Sequence, residues 1–273
     1  MGGRKAGTED GAKARDYVAR RFKESGLKFF AASPLQAFTF TEPNTSGEKQ
    51  GANVVGYVKG KTFPDLYLVV SAHYDHIGVN KGEIYNGADD NASGVAALFA
   101  LGKYFSKHRP LHSIIFVAFD NEEGGGDGAR KFVSEPPVDI RSIILNVNLD
   151  MVSRNDLNQL YAVGTYHYPF LKPSLERVMA SAPVKLLFGH DTPDLPAVQN
   201  WTAQSDHVAF HRAKIPFIYF GVEDHKDYHK PTDDFENINQ DFYVRAVETI
   251  LEAVKALDAS LAAIQQQKAA TSP

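Results

Sequence analysis

The sequence predicts an α/β protein: a single-domain three-layer sandwich over residues 1–273, with a mostly parallel central sheet and helices on both faces. Short, strongly apolar runs rich in β-branched and aromatic residues read as buried strands. Amphipathic segments of helical period lie between and around them, and strands that alternate with helices build parallel neighbours through crossovers. No repeat, low-complexity block or linker divides the chain, and its two ends are expected to be short and flexible.

Asp10 to Ser25 reads as the first helix, because Ala14, Tyr17, Val18 and Phe22 share a face and Gly26 stands where a helix stops. Thr41 to Ser46 and Gly47 to Gly51 are polar and turn-rich and read as a connection. The strands follow at Asn53 to Val58, Leu66 to Val70, Ser113 to Phe119, Ile143 to Leu149 and Ile215 to Gly221, each too short for a typical helix. Between the second and third lies a helical pattern from Ser93 to Phe105 with Ser93 as its cap. Lys172-Pro173-Ser174 opens another helix that ends near Ala180, since proline suits a first turn. Asp241 to Ile264 places Val247, Ile250, Leu251, Val254, Leu257, Leu261 and Ile264 on one stripe, a helix covering a sheet face, and Gln265 to Pro273 is expected to fray. Leu186 to Thr202 lacks periodicity and is a candidate substrate wall.

Composition narrows the chemistry. The 29 basic and 33 acidic residues leave a net charge of −4, with no basic cluster to bind nucleic acid or an anionic membrane. With no cysteine, disulfides, thiolate zinc sites and cysteine nucleophiles are excluded, so any metal must sit on His, Asp or Glu. The longest apolar stretches, such as Val95 to Leu101, fall short of the ~18 residues of a membrane span. No apolar segment follows Met1-Gly2-Gly3-Arg4-Lys5, so no signal peptide is expected in this sequence.

Chemistry-bearing residues follow the strand ends: His73-Tyr74-Asp75 after the second strand, Glu122-Glu123 after the third, Asp150 after the fourth and His229 downstream of the fifth. In open parallel sheets that edge is where ligands bind. Each residue also has a plainer reading. His73 and Asp75 could be a surface pair, Glu122 and Glu123 solvated acids, and His229 part of a turn before a helix. Asp89-Asp90-Asn91-Ala92-Ser93-Gly94 suits a capping turn, and for Asp89 that reading is preferred. Asp150 ends an apolar strand, where an unpaired carboxylate is costly, so it calls for a cation. Together Asp90, Glu122, Glu123 and Asp150 bring about four negative charges that two divalent ions would neutralise. Imidazole and carboxylate donors without thiolate favour zinc, with cobalt or manganese as substitutes.

Six segments in order strengthen this picture: Ser71-Ala72-His73-Tyr74-Asp75-His76, Gly87-Ala88-Asp89-Asp90-Asn91-Ala92-Ser93-Gly94, Phe119-Asp120-Asn121-Glu122-Glu123, Asn148-Leu149-Asp150-Met151, Ser205-Asp206-His207 and Tyr228-His229-Lys230-Pro231-Thr232-Asp233. With them, most of the chain resembles the co-catalytic di-zinc aminopeptidases of the MH clan of metallopeptidases, the bacterial leucyl aminopeptidase type. The resemblance implies the zinc-dependent exopeptidase fold, with a mixed, mostly parallel sheet. It implies two zinc ions per chain, with Asp90 bridging them, Glu123 and His229 completing one shell, and His73 and Asp150 completing the other. Asp75 would orient His73, and the peptide bond from Asp90 to Asn91 would be strained. The activity implied is release of N-terminal residues from peptides with a free N-terminus, by a water bridging two zincs, with Glu122 as general base. Asp206 and His207 would wall the site, a helix start before Val208 being the competing reading, and Tyr228 would hydrogen-bond the intermediate.

The chain departs from the family pattern at Gly124-Gly125-Gly126-Asp127-Gly128-Ala129, which replaces a larger apolar residue and a serine, so this loop is expected to be unusually flexible. Neither an inserted protease-associated domain nor a lid domain is expected. The first rival is a glutaminyl cyclase, an acyltransferase of the same clan that forms N-terminal pyroglutamate with one zinc. Its pocket is tryptophan-rich, whereas here Tyr228 precedes the final His and Trp201 is the single tryptophan. A catalytically dead binding module and a carboxypeptidase are further alternatives. Aminopeptidases of this type are often exported, which points to the periplasm or the cell exterior and leaves the cytoplasm open. Of the sequons at Asn44, Asn91 and Asn200, the second would obstruct the site if glycosylated and is read as unmodified.

Overall fold

The computed structural model describes residues 1–42 and 47–271. In chain order the elements are α1 (Glu9–Glu24), β1 (Leu35–Thr41), β2 (Glu48–Val58), β3 (Phe63–His73), β4 (Gly78–Asn80), β5 (Glu83–Tyr85), α2 (Gly94–Lys107), β6 (His112–Phe119), α3 (Asp127–Ser134), β7 (Ile143–Leu149), β8 (Gln159–Val163), α4 (Lys172–Met179), β9 (Lys185–Phe188), α5 (His207–Arg212), β10 (Phe217–Gly221) and α6 (Gln240–Thr271). An 8-stranded sheet runs in the order β1-β2-β6-β3-β7-β10-β8-β9, and β4 and β5 form a small hairpin beside it.

The centre of the sheet, β6-β3-β7-β10, is parallel. Every residue of β6 and β7 is buried, which explains why these strands are continuous apolar runs: both of their faces are covered. Alternation along β3 and β6 sorts the two faces. Leu68, Val70 and Ala72 with Ile114, Phe116 and Ala118 join one core with residues of α1, α2, α4 and α6. Val69, Ile115, Val117 and Phe119 join a second core with Phe132 of α3 and Phe210 of α5. The result is the predicted three layers. The flanks make the sheet mixed, because β2 pairs antiparallel with β6, β1 with β2, and β8 with β10.

The structure departs from the sequence expectation at the margins. Lys49, Gln50 and Gly51, read as turn, lie in β2 and pair with β1. An edge strand buries one face only, and β1 does so with Phe38 and Phe40 between exposed Ala37, Thr39 and Thr41. Of the turn read at Thr41 to Ser46, Thr41 lies in β1, and residues 43–46, with the sequon at Asn44, lie outside the described residues. α6 does not fray after Ile264 but continues to Thr271, and Lys268 donates from Nζ to the Ile143 carbonyl at 2.9 Å; the last residues of the expected tail, 272–273, lie outside the described residues. The glycine-rich segment after Glu123 forms a hydrogen-bonded turn: Gly125 N–H donates to Glu122 O and Gly126 N–H to Asn121 O, each at 2.8 Å, and α3 begins at Asp127. Among the described residues, no helix is long and apolar enough to cross a membrane.

Because the central strands are parallel, their carboxyl ends open on one edge of the sheet. His73 closes β3, Glu122 and Glu123 lie just past β6, Asp150 follows β7, and the segment after β10 leads to His229.

Candidate metal centre

The edge residues converge on one carboxylate. His73 Nε2 stands 3.3 Å from Asp150 Oδ1 and 3.3 Å from Asp90 Oδ1. The other oxygen of Asp90, Oδ2, stands 3.0 Å from His229 Nε2, which is in turn 3.4 Å from Glu123 Oε2. Two ligands each ~2.0–2.1 Å from a tetrahedral zinc are ~3.3 Å apart. Asp90 therefore offers one oxygen to His73 and Asp150 and the other to His229 and Glu123, at spacings suited to two ions.

Backbone hydrogen bonds hold Asp90 in place. The N–H groups of Asp89 and Asp90 donate to the Asp233 carboxylate, each at 3.0 Å, and the peptide from Asp90 to Asn91 is cis. The Asn91 side chain donates to the Leu149 carbonyl at 2.9 Å and accepts from Gly94 N–H at 2.9 Å, so this fully buried amide leaves no room for a sugar. Asp89 is fully buried, but its side chain caps no helix: it accepts from the N–H and hydroxyl of Ser153 at 2.7 and 2.8 Å and lies 3.1 Å from His225 Nε2.

Asp75 does more than its spacing indicates. Its carboxylate is 3.6 Å from His73 Nδ1, which lies nearer the Asp75 backbone oxygen at 3.2 Å. The carboxylate also accepts from the backbone N–H of Glu122 at 3.0 Å and of Glu123 at 3.3 Å. Glu122 is half-buried, and its own carboxylate makes no hydrogen bond or ion pair among the described residues.

A residue that the spacing argument leaves without a role also joins the site. The fully buried ring of His76 sets Nδ1 2.7 Å from Glu123 Oε1 and 3.8 Å from Asp90 Oδ2. The segment Ser71 to His76 contains it, yet nothing in the linear spacing marks a contact that closes across 47 residues.

The wall residues separate. Tyr228 stacks on His229, ring centroids 3.9 Å apart. Asp206 is buried with neither carboxylate oxygen hydrogen-bonded. His207 corrects the wall expectation: it is fully buried between Phe217 and Tyr219, bonds to the Trp201 carbonyl at 2.8 Å and presents no surface to a substrate. It opens α5, so the helix-start reading is the one observed.

Crowding of acids sets the electrostatics. Burial alone would lower His73, but Asp150, Asp75 and Asp90 hold it well above its ordinary range. Burial would likewise lower His229, yet Asp90 and Glu123 push it up to about 10. Burial raises Glu122 well above the usual carboxylate range, reinforced by Asp206, Asp150 and Glu123. Burial also raises Asp150, against the pull of His73. Such a buried excess of carboxylate, interleaved with imidazole and free of thiolate, has donor chemistry that suits zinc. Ligand atoms of His73, Asp90 and Asp150 lie within 4.8 Å of one another, as do those of His76, Asp90 and Glu123.

Known proteins resemble this chain in sequence and fold. The sequence model of peptidase family M28 matches residues 53–254. Aminopeptidase YwaD of Bacillus subtilis is 28% identical over 248 residues, which cover 85% of this chain and 47% of that protein. The chain spans less than half the length of the curated relatives it matches. Among solved structures, a Zn-dependent exopeptidase from Parabacteroides distasonis has a TM-score of 0.73 at 19% identity, covering 93% of this chain and 92% of its own. The glutaminyl cyclase of Fimbriiglobus ruber matches with a TM-score of 0.73 at 20% identity, covering 93% and 90%. At these identities both structures speak for the fold alone.

Proposed function

The chain belongs to peptidase family M28, and from that membership we propose that it is a zinc-dependent aminopeptidase that removes N-terminal residues from peptides, residues 1–273 forming one catalytic domain. The observation that carries this reading is the shared Asp90 carboxylate, one oxygen 3.3 Å from His73 and the other 3.0 Å from His229, with an unbonded Glu122 next to Glu123. His73, Asp90 and Asp150 would hold one zinc, and Asp90, Glu123 and His229 the other. Zinc bound there supplies Lewis-acid polarisation of the scissile carbonyl and acidifies water.

The chain's own residues do the rest. Glu122 takes the proton of the attacking water and delivers it to the leaving amine. Its surroundings suit both halves of that task. Burial, reinforced by the neighbouring carboxylates, raises its proton affinity, which suits it to accept and hold a proton in transit. Asp75 fixes the backbone on which Glu122 and Glu123 sit. Burial, with Asp90 and Asp224 close by, raises the Tyr228 hydroxyl above its ordinary value, so it stays protonated and able to donate to the developing oxyanion. The frequent export of aminopeptidases of this type supports work in the periplasm or outside the cell, with the cytoplasm as the alternative.

The test is hydrolysis of leucyl, alanyl and glutaminyl arylamides by zinc-loaded protein beside Glu122→Gln, with bound zinc counted. Chelator-sensitive release of arylamine, reduced ~10²- to 10⁴-fold in Glu122→Gln while about two zincs per chain are kept, is the expected result. One zinc with cyclisation of N-terminal glutamine and no hydrolysis would transfer the protein to the cyclases. No bound metal and no turnover would remove both enzymatic readings.

A further inference from the structure

We infer that His76 positions Glu123: by donating from Nδ1 to Oε1, it aims the other carboxylate oxygen, Oε2, at the metal shared with Asp90 and His229. The inference rests on the reading of Glu123 as a metal ligand and goes beyond it by adding a residue that the ligand set does not contain.

Distances separate His76 from the ligands. The nitrogen–oxygen spacings of the four ligand pairs are 3.3, 3.3, 3.0 and 3.4 Å, near the ~3.3 Å expected of two atoms on one tetrahedral zinc. His76 Nδ1 is only 2.7 Å from Glu123 Oε1, too close for two ligands of one ion and the length of a charge-assisted hydrogen bond. The two oxygens of Glu123 are thereby divided. Oε1 faces His76, and Oε2 faces His229.

The far side of the ring gives the same answer. His76 Nε2 is buried and has no hydrogen-bond partner. A metal-bound histidine almost always passes its other N–H to an acceptor, and a buried N–H without one is rare. Were Nδ1 on the metal, Nε2 would carry that proton with nothing to receive it. With the proton on Nδ1, the ring donates to Glu123 and leaves only a lone pair at Nε2.

The ring is also held in place. Gly87, at φ +55°, begins the turn that delivers Asp90, and a Cβ there would fall 2.6 Å from His76 Cγ and Cδ2. The absent side chain lets the Asp90 turn pack directly on the imidazole, coupling the two carboxylates of this metal through one ring.

The experiment titrates zinc against a competing chelator for wild type, His76→Ala and His76→Asn, and records the visible spectrum of each loaded with cobalt. Asparagine sets an amide N–H close to where Nδ1–H stands. The expected result is a weaker zinc affinity at one site in His76→Ala by ~10- to 100-fold, most of it recovered in His76→Asn, with the cobalt bands of wild type and His76→Asn alike. If His76→Ala does not fold, His76→Asn is compared with His76→Gln, whose N–H lies one methylene further out, and only the former is expected to bind tightly. Undiminished affinity in His76→Ala overturns the inference. So does equal loss in the alanine and asparagine variants with altered cobalt bands, which would make His76 a ligand. A wild type that holds no second metal overturns the parent reading, and this inference with it.

Discussion

Asp75 Oδ1 accepts a hydrogen bond from the backbone N–H of Glu122 at 3.0 Å, and Oδ2 accepts one from Glu123 at 3.3 Å. The segment after β3 is thus tied to the one after β6, and the proposed base and its neighbouring ligand are held by one carboxylate. Asp75→Asn replaces one accepting oxygen with an NH₂ that faces an N–H. The expected outcome is a fall in kcat of ~10- to 100-fold with fold retained, read from arylamide kinetics beside circular dichroism. Wild-type kcat in this variant would show that the Glu122 and Glu123 amides do not depend on Asp75.

Asp233 does for Asp90 what Asp75 does for the glutamates, since its carboxylate accepts both the Asp89 and the Asp90 amides. Asp233→Ala leaves two N–H groups in a buried turn without acceptors, and the turn must shift to regain them. A shift there moves the one carboxylate common to both proposed metal positions. Zinc affinity is expected to fall at both positions, by ~10-fold or more, in a chelator competition titration. Loss at only one of the two would mean that Asp90 is not shared.

How much of this is legible in the sequence depends on what each residue contacts. The central strands are readable because two covered faces demand unbroken apolar runs, as in Ile114 to Phe119 and Ile143 to Leu149. Because those strands are parallel, the candidate ligands after them are readable too. β1 escapes because an edge strand of alternating polar residues resembles a connection, and β8 and β9 because they span only 5 and 4 residues. Asp75 and His76 show the other limit. Sequence proximity pairs Asp75 with His73, 3.6 Å away, but gives no sign that its carboxylate also accepts from amides 47 and 48 residues away. His76 reaches Glu123 across 47 residues, a contact made by folding two loops together rather than by any spacing along the chain.

Far from the site, α6 is clasped to the start of β6. Asp258 accepts from Leu111 N–H at 2.8 Å, His112 N–H at 2.9 Å and lies 3.0 Å from His112 Nδ1. Asp258→Ala strands these buried donors and is expected to lower stability by ~1–3 kcal/mol, measured as a shift in urea midpoint at constant m-value. Zinc stoichiometry and kcat should stay at wild-type levels, since none of these groups touches the metal centre. An unchanged midpoint would mean that water replaces the lost carboxylate.

Asp206 and His207, adjacent in sequence and both buried, set the pH range of the metal-free protein from opposite sides. Burial pushes the Asp206 carboxyl up to about 8, with Asp75 and Asp150 adding to the rise and His73 opposing it; an unfolded aspartate sits near ~3.9. Between those values the folded state holds the extra proton, so stability falls as pH rises from about 4 to about 8, by at most ~1.4 kcal/mol per pH unit. His207 has the opposite sign. Burial presses it down to about 3, against ~6.5 unfolded, so the unfolded state holds the extra proton and stability is lost as pH falls from about 6.5 towards 3. Asp206→Asn removes the first effect and keeps the second. Urea unfolding of the metal-free proteins at about pH 5 and about pH 8 should therefore show the variant's advantage over wild type growing at the higher pH. Parallel curves at both pH values would mean that Asp206 finds a compensating partner when it ionises.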